Sequence, residues 1–320
     1  MKNVLFLMII FLLGACSSKE QDFQKIDYDT INLIEFKSSK PVTVEVKTAL
    51  EISGSDYLLE NAKKIEYIQL DDKMPLGNIS KMNVVDQKIV LLSNDFLYVY
   101  DLTGNFLYHI DKKGKGHNEY LRISDFQVLP TEKEILAIDD LSGSYFYFDL
   151  ETSRFLRKEK SLVNSMYACK YQGLYFSSLV SGNDFNDDET WGMVASDSTE
   201  FKYKQFLLHP LQNADLLTDN LHVCNGLLYY TPIFSDTIYT VNKNMDLFKS
   251  FVIKQDKSIW CKSNEKLSFA EVLECMRKGG YTFLNGNRMF CSEKVLFFQI
   301  MKGDEKGLLE ENYVYHAKEK

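Results

Sequence analysis

Apolar and polar residues alternate in short bursts along most of this chain, and the bursts are broken by Gly, Asn, Asp and Ser. Ile89-Val90-Leu91-Leu92, then Phe96-Leu97-Tyr98-Val99-Tyr100-Asp101, a Thr103-Gly104-Asn105 turn and Phe106-Leu107-Tyr108-His109-Ile110 predict three short strands joined by hairpins. The phrase returns 46 to 49 residues later as Ile135-Leu136-Ala137-Ile138, Tyr145-Phe146-Tyr147-Phe148-Asp149, the Glu151-Thr152-Ser153 turn and Phe155-Leu156. A third copy aligns without a gap from Asp236-Thr237-Ile238-Tyr239 through Phe248-Lys249-Ser250-Phe251. Weaker copies open at Gly173-Leu174-Tyr175-Phe176 and at Lys294-Val295-Leu296-Phe297-Phe298. Repeats of roughly 40–50 residues with about four strands each are the pattern of a β-propeller, whose sheets bury their faces only by stacking on neighbours. The rival is a non-repetitive β-sandwich with chance hairpins. The gapless third copy argues against it, because turn and strand recur together.

Two segments depart from the strand pattern. Ser268-Phe269-Ala270-Glu271 reads as a capping box, and Phe269, Val272, Leu273 and Met276 form one apolar stripe before Lys278 and Gly279. This predicts one short helix inserted between blades and docked on its own domain. At the N-terminus, Lys2, the apolar stretch Val4 to Leu13 and the small Gly14 and Ala15 have the layout of a secretory signal peptide, too short for a membrane span. Cys16, directly after Leu13-Gly14-Ala15, resembles the lipobox Cys of bacterial lipoproteins, which is acylated and becomes the mature N-terminus. The resemblance implies a signal peptide over 1–15 and palmitate-type chains on Cys16 that hold the protein to a membrane without a spanning helix. Residues 16–40 are polar and without periodicity, as a tether is, leaving 41–320 as the propeller domain. Glu20 and Asp22 resemble the acidic signals that send some lipoproteins to the outer cell surface.

Composition sharpens this picture. The 22 Phe and 19 Tyr suit pleated sheets better than helix bundles. A net charge of −8, with no run of more than two basic residues, argues against a nucleic-acid partner. Besides Cys16 there are Cys169, Cys224, Cys261, Cys275 and Cys291, with no Cys-x-x-Cys pair and no His at ligand spacing. No metal or other cofactor is therefore expected. Cys169, Cys224 and Cys291 stand in apolar runs, where Cys commonly acts as a small buried hydrophobe; whether any pair forms a disulfide stays open.

The most specific stretch is His109-Ile110-Asp111-Lys112-Lys113-Gly114-Lys115-Gly116-His117-Asn118-Glu119-Tyr120, followed by Asp125-Phe126. It resembles the hallmark Gly-x-Gly-Pro-Gly-Glu-Tyr loop of bacterial six-bladed β-propeller lipoproteins related to NHL-type propellers. Gly114, Gly116, Glu119 and Tyr120 match, and His117 and Asn118 replace Pro and Gly. Pro75-Leu76-Gly77-Asn78-Ile79 and Ser235-Asp236-Thr237-Ile238-Tyr239 are similar to further phrases of that family. The resemblance implies an all-β, six-bladed propeller. Five repeat units are countable, so the last blade is incomplete, absent or closed from the N-terminal side, for which Lys64 to Leu70 is the candidate strand. Physically, Gly114 and Gly116 are expected to take backbone angles closed to other residues, with Glu119 accepting backbone N–H groups to fix the link between blades. A phosphate cradle is disfavoured, since strand rather than helix follows.

Catalytic constellations are scarce. Ser142-Gly143-Ser144 lies in a hairpin without the helix of a nucleophile elbow. Asp184, Asn186 and Asp188 alternate as in a calcium loop, but Glu189 and Ala195 stand where Gly and Glu are needed. Asn94, Asp95, Asp139 and Asp140 lie at strand ends, where a metal-dependent propeller hydrolase or lyase would place channel ligands; hairpins favour the same residues for conformational reasons. The expectation is a non-catalytic envelope module, lipid-anchored to the outer membrane or cell envelope, that binds a protein or glycan partner through loops, with Tyr145-Phe146 and Tyr229-Tyr230 as possible sugar platforms.

Overall fold

The structure is a computed structural model that describes residues 31–46, 65–163, 165–178, 191–206, 220–232, 235–255, 271, 274, 277–278, 282–291, 295–304 and 307–316. Cys16 with the leader and most of the tether, the apolar helix stripe, and the Asp184–Asp188 loop lie outside these residues. The chain divides into two units, residues 1–32 and 33–320, and of the first only Ile31 and Asn32 are described.

The second unit is all-β with a propeller-like arrangement. The N-terminal pieces β1 (Asn32–Leu33), β2 (Glu35–Phe36) and β3 (Val42–Glu45) precede five antiparallel sheets. The first holds β4 (Ile79–Val85), β5 (Lys88–Ser93), β6 (Phe96–Asp101) and β7 (Phe106–Ile110). The second holds β8 (Asp125–Leu129), β9 (Glu134–Asp139), β10 (Ser144–Asp149) and β11 (Phe155–Lys160). The third has β12 (Ala168–Tyr171), β13 (Leu174–Ser178), β14 (Trp191–Ser196) and β15 (Phe201–Phe206). The fourth has β16 (Leu221–Cys224), β17 (Leu227–Tyr230), β18 (Thr237–Val241) and β19 (Asp246–Lys254). The fifth is a three-stranded sheet of β20 (Thr282–Cys291), β21 (Val295–Asp304) and β22 (Gly307–His316). From β4 to β22 the strands follow sequence order within each sheet, and β2 and β3 are added beyond β19. The first strands pack in series, β4 on β8, β8 on β12, β12 on β16 and β16 on β20. A two-sheet sandwich has no such series.

Burial on both faces explains the continuous apolar runs. In the second sheet Ile135, Ala137, Phe146 and Phe148 face the first sheet, where they meet Val90, Leu92, Leu97 and Val99. Their alternates Leu136, Ile138, Tyr145 and Tyr147 face the third sheet and meet Ala168 and Tyr175. Phe146 and Phe148 are fully buried, each contributing about 2–3 kcal/mol of transfer free energy. The same interleaving continues through Phe176 and Met193 against Tyr230 and Tyr239, and through Ile238 and Ile253 against Phe298 and Ile300.

Polar contacts fix the alignment of these greasy faces. Lys81 of β4 reaches the buried Asp125 of β8 at 2.6 Å. Gln127 of β8 accepts the Lys170 N–H at 2.6 Å and donates to the Lys170 carbonyl. Tyr171 donates to the Gly226 carbonyl, and the Leu284 N–H donates to the Ser235 carbonyl. Between the second and third sheets, Tyr147 bonds Tyr175, which donates to Glu159 at 2.5 Å. Arg157 stacks on the Tyr147 ring and pairs bidentately with Glu134. Burial pushes the Tyr175 hydroxyl well above its ordinary range.

The turns repeat as the strands do. Hairpins at Asp86-Gln87, Asn94-Asp95, Gln172-Gly173 and Asn225-Gly226 hold both central residues at positive φ, the twist that two-residue hairpins require. The turn before each fourth strand is closed by one side chain accepting two backbone N–H groups. Asp101 takes those of Thr103 and Asn105, Asp149 those of Glu151 and Thr152, Asp197 those of Thr199 and Glu200, and Asn242 those of Asn244 and Asp246.

Several expectations are corrected. The closing strand proposed at Lys64 to Leu70 is not one: Ile65 to Leu70 is irregular, with Tyr67 97% exposed, and only Leu70 among them packs on the free face of the first sheet. The Asp71 N–H donates to the Gly104 carbonyl, which holds this segment along the β6–β7 turn. The N-terminal region instead lays β2 and β3 parallel to β19, with Phe36 opposite Leu247 and Val42 opposite Phe251. Ile34, within the stretch read as tether, is 2% exposed in the core between the third and fourth sheets. Cys224, expected as a buried hydrophobe, is disulfide-bonded, whereas Cys169 is a buried thiol. Of the expected helix, Glu271, Glu274, Arg277 and Lys278 are helical and exposed, with a Glu274–Lys278 pair one turn apart.

The repeated turns give a pH prediction. The Thr103 hydroxyl and the Asn105 amide draw the Asp101 carboxyl down to about 2, and the hydroxyls of Thr152 and Thr199 lower Asp149 and Asp197 in the same direction. A carboxyl depressed below its unfolded value of 3.8 stabilises the fold above that pH, and the contribution is lost as pH falls through the folded value. Replacing all three with Asn, which serves the same turn at Asn242, is expected to flatten the loss of urea midpoint between about pH 4 and about pH 2; an unchanged slope contradicts the assignment.

Candidate functional site

The loop from β7 to β8 is closed upon itself. The Gly114 N–H donates to the Tyr120 carbonyl at 2.9 Å, the Tyr120 N–H to the Lys112 carbonyl at 3.0 Å, and the Glu119 N–H to the Gly116 carbonyl at 3.1 Å. Tyr120 plugs its base: the ring is fully buried between the first and second sheets, edge-on to Phe146, and its hydroxyl donates to the Ile110 carbonyl at 2.8 Å. Glu119 Oε2 accepts the Gly116 N–H at 2.7 Å. Gly114, Gly116, Glu119 and Tyr120 thus belong to one hydrogen-bonded loop, in which the Glu119 carboxylate accepts a single backbone N–H, that of Gly116.

The reason for the glycines is different from the one expected. Neither Gly114 nor Gly116 is among the described residues at positive φ. Both lie against the Glu119 carboxylate. A Cβ on Gly114 would stand 2.6 Å from Glu119 Cδ, and one on Gly116 2.9 Å away. A Cβ at either position would push the exposed Glu119 carboxylate off its bond to the Gly116 N–H.

Beside this loop stands the β10–β11 turn, closed by Asp149. Tyr108 of β7 donates to its Leu150 carbonyl, and Lys88 pairs with Glu151 at 2.8 Å, so the turn is held to the first sheet from two sides. Between loop and turn opens a cleft of about 650 Å³ lined by Lys112, Gly116, His117, Asn118, Glu119, Ser153, Arg154 and Phe155. The volume suits a small ligand or one unit of a larger one. Sequence reasoning singled out one wall and missed Ser153, Arg154 and Phe155. They lie more than thirty residues away, and no local signal links them to the loop.

The other candidates serve the fold. Asp139 accepts the Leu121 and Ser142 N–H groups and the Ser142 hydroxyl, while Asp140 forks onto Arg122. Asp95 pairs with Lys113 at 2.9 Å, and Asn94 shares its positive-φ hairpin. No group of three or more His, Cys, Asp or Glu placed to hold a metal occurs among the described residues. Tyr145, Phe146 and Tyr230 are buried, and Tyr229 packs between the fourth and fifth sheets, so none offers a sugar platform. Ser235 is buried too: its hydroxyl accepts the Thr237 N–H while its carbonyl holds the fifth sheet, which explains the Ser235-Asp236-Thr237 phrase.

Comparison with known proteins identifies the family and supports the fold. Residues 41–320 match the family described as a domain of unknown function, DUF4934, and the chain belongs to that family. A Bacteroides fragilis protein whose name describes it as exported is similar in structure at 16% identity, with a TM-score of 0.64, over 87% of this chain and 80% of that one. A DUF4221 member from Bacteroides vulgatus is similar at 12% identity and a TM-score of 0.46 over 74% of each chain. Virginiamycin B lyase from Staphylococcus aureus is similar at 10% identity and a TM-score of 0.40, over 79% of this chain and 74% of that one. No curated protein matches the chain.

The Glu119 clamp is testable. Gly114→Ala and Glu119→Ala are each expected to cost about 1–2 kcal/mol by denaturant unfolding, and the double variant about as much as one alone, since both break the same contact. Simple additivity contradicts the clamp.

Proposed function

We propose that this DUF4934 protein is a non-catalytic binding module of the bacterial envelope, exported, lipid-anchored through Cys16, and using the cleft beside the glycine loop to grip a protein or glycan partner. The observation that carries the reading is the cleft itself. Two turns, each locked by its own carboxylate clamp, form its walls, while the acids at neighbouring strand ends are engaged with the chain's own backbone and cations. Loops held rigid by a stacked-sheet scaffold are where such folds carry their function. The disulfide at Cys224 suits an oxidising compartment, and the exported relative supports the same location. The order of lipobox-like leader, polar tether and folded body gives the anchor its role: it holds a receptor surface clear of the membrane.

The ring in this reading has six blades. Met82 and Val84 of β4 stand opposite Leu91 and Ile89, on the face of the first sheet turned away from the second, and are 59% and 56% exposed. A further sheet on that side covers them. Met82→Ser and Val84→Ser are then expected to destabilise by more than about 1 kcal/mol each, whereas values within about 0.5 kcal/mol return the face to solvent and end the six-blade count.

The binding role is tested by obstruction. Asn118→Trp fills the cleft from an exposed position, and the mature lipoprotein carrying it is expected to lose retention on immobilised envelope glycans and proteins that hold the unaltered chain. Equal retention, with normal folding, removes the cleft from the function. Anchoring is read separately: Cys16→Ala is expected to abolish palmitate incorporation and release the protein from membranes, and continued labelling contradicts it.

A further inference from the structure

We infer that the ligand of this cleft is a short acidic saccharide, one whose sugar carries a carboxylate, a conclusion that rests on the binding role proposed above. The protein as a whole is acidic at −8, yet the cleft collects Lys112, His117 and Arg154. Lys112 and His117 enter no ion pair or side-chain hydrogen bond among the described residues, and Arg154 acts on Asp149, whose carboxyl it helps to lower; Lys113, on the same loop, is spent on Asp95. The one carboxylate in the lining, Glu119, is turned to the Gly116 N–H. Lys112, His117 and Arg154, brought to one cleft by two hydrogen-bonded loops, give it a cationic lining suited to an anion.

The form of the anion follows from the rest. A polyanion such as nucleic acid would be repelled at long range by the protein's net charge, so the cleft suits an isolated acid group recognised at short range. Asn118 and Ser153 bring neutral donors and acceptors of the kind that match sugar hydroxyls, and Phe155 brings an apolar wall at the start of β11. Loop and turn residues supply nearly all of the lining. An extended peptide adding as a strand would instead need a run of open strand edge along it. The volume of about 650 Å³ accommodates one or two sugar units.

The test uses the full mature protein and calorimetric titration with a digalacturonate, the matching neutral digalactose, a sulfated galactose disaccharide and a short polyglutamate. Digalacturonate is expected to bind at least about tenfold more tightly than digalactose, with Lys112→Gln and Arg154→Gln each weakening it by about tenfold and leaving the thermal unfolding midpoint in place. Affinity is expected to fall modestly with added salt, as for one anionic group. Equal binding of digalactose, or loss-free binding by both variants, overturns the acidic-sugar inference while leaving the cleft as a binding site. Preference for the sulfated sugar overturns the carboxylate, and preference for polyglutamate overturns the saccharide. If no probe binds and Asn118→Trp also leaves envelope retention intact, the binding role of the cleft falls with it.

Discussion

A four-stranded sheet of this composition has two apolar faces and no means of hiding either by itself. Every other feature follows from the need to cover both. Phe146 and Phe148 look one way and Tyr145 and Tyr147 the other, so a single strand of β10 contributes to two separate cores. Stacking successive sheets through their first strands satisfies each face in turn. Such stacking is non-directional, since apolar burial does not specify how far one sheet slides on the next. The polar stitches set that alignment: Lys81 with Asp125, Gln127 with the Lys170 backbone, Tyr171 with the Gly226 carbonyl, and the Leu284 N–H with the Ser235 carbonyl.

The candidate site is a by-product of one of those stitches. Tyr120 is part of the core between the first and second sheets, and the chain must return from its buried hydroxyl bond to the surface within a few residues. Glu119 and the two glycines accomplish that return by letting a carboxylate lie directly on the backbone. The loop is therefore rigid for structural reasons, and its rigidity is available to any ligand that reaches Lys112 and His117. The facing turn is rigid for an independent reason, the Asp149 clamp that recurs at Asp101, Asp197 and Asn242. In the proposed binding role, function and stability share residues here, so changes to the clamps would act on both, while Lys112, Asn118 and Arg154 lie outside the core.

Much was legible without coordinates because it is encoded locally. Strand and turn periodicity marked out the sheets, and the Gly114–Tyr120 motif marked one wall of the cleft. Other features escaped. The apolar look of Ile65-Glu66-Tyr67-Ile68 suggested a strand, but the segment is held along the β6–β7 turn by the Asp71 N–H on the Gly104 carbonyl. The disulfide at Cys224 stayed open in the sequence, because it depends on a partner that spacing does not identify. Gly114 and Gly116, expected at unusual backbone angles, are not at positive φ and instead lie beneath the Glu119 carboxylate.

The sequence by itself determined the all-β class, the repeat length and the hairpin positions, since period-two patterning and turn chemistry act over a few residues. Only the tertiary structure decided which faces meet, that β2 and β3 join β19, and that Ser153, Arg154 and Phe155 complete a cleft with a loop over thirty residues earlier. Those outcomes depend on how whole sheets stack, and stacking is fixed by long-range contacts between residues whose local patterns carry no record of one another.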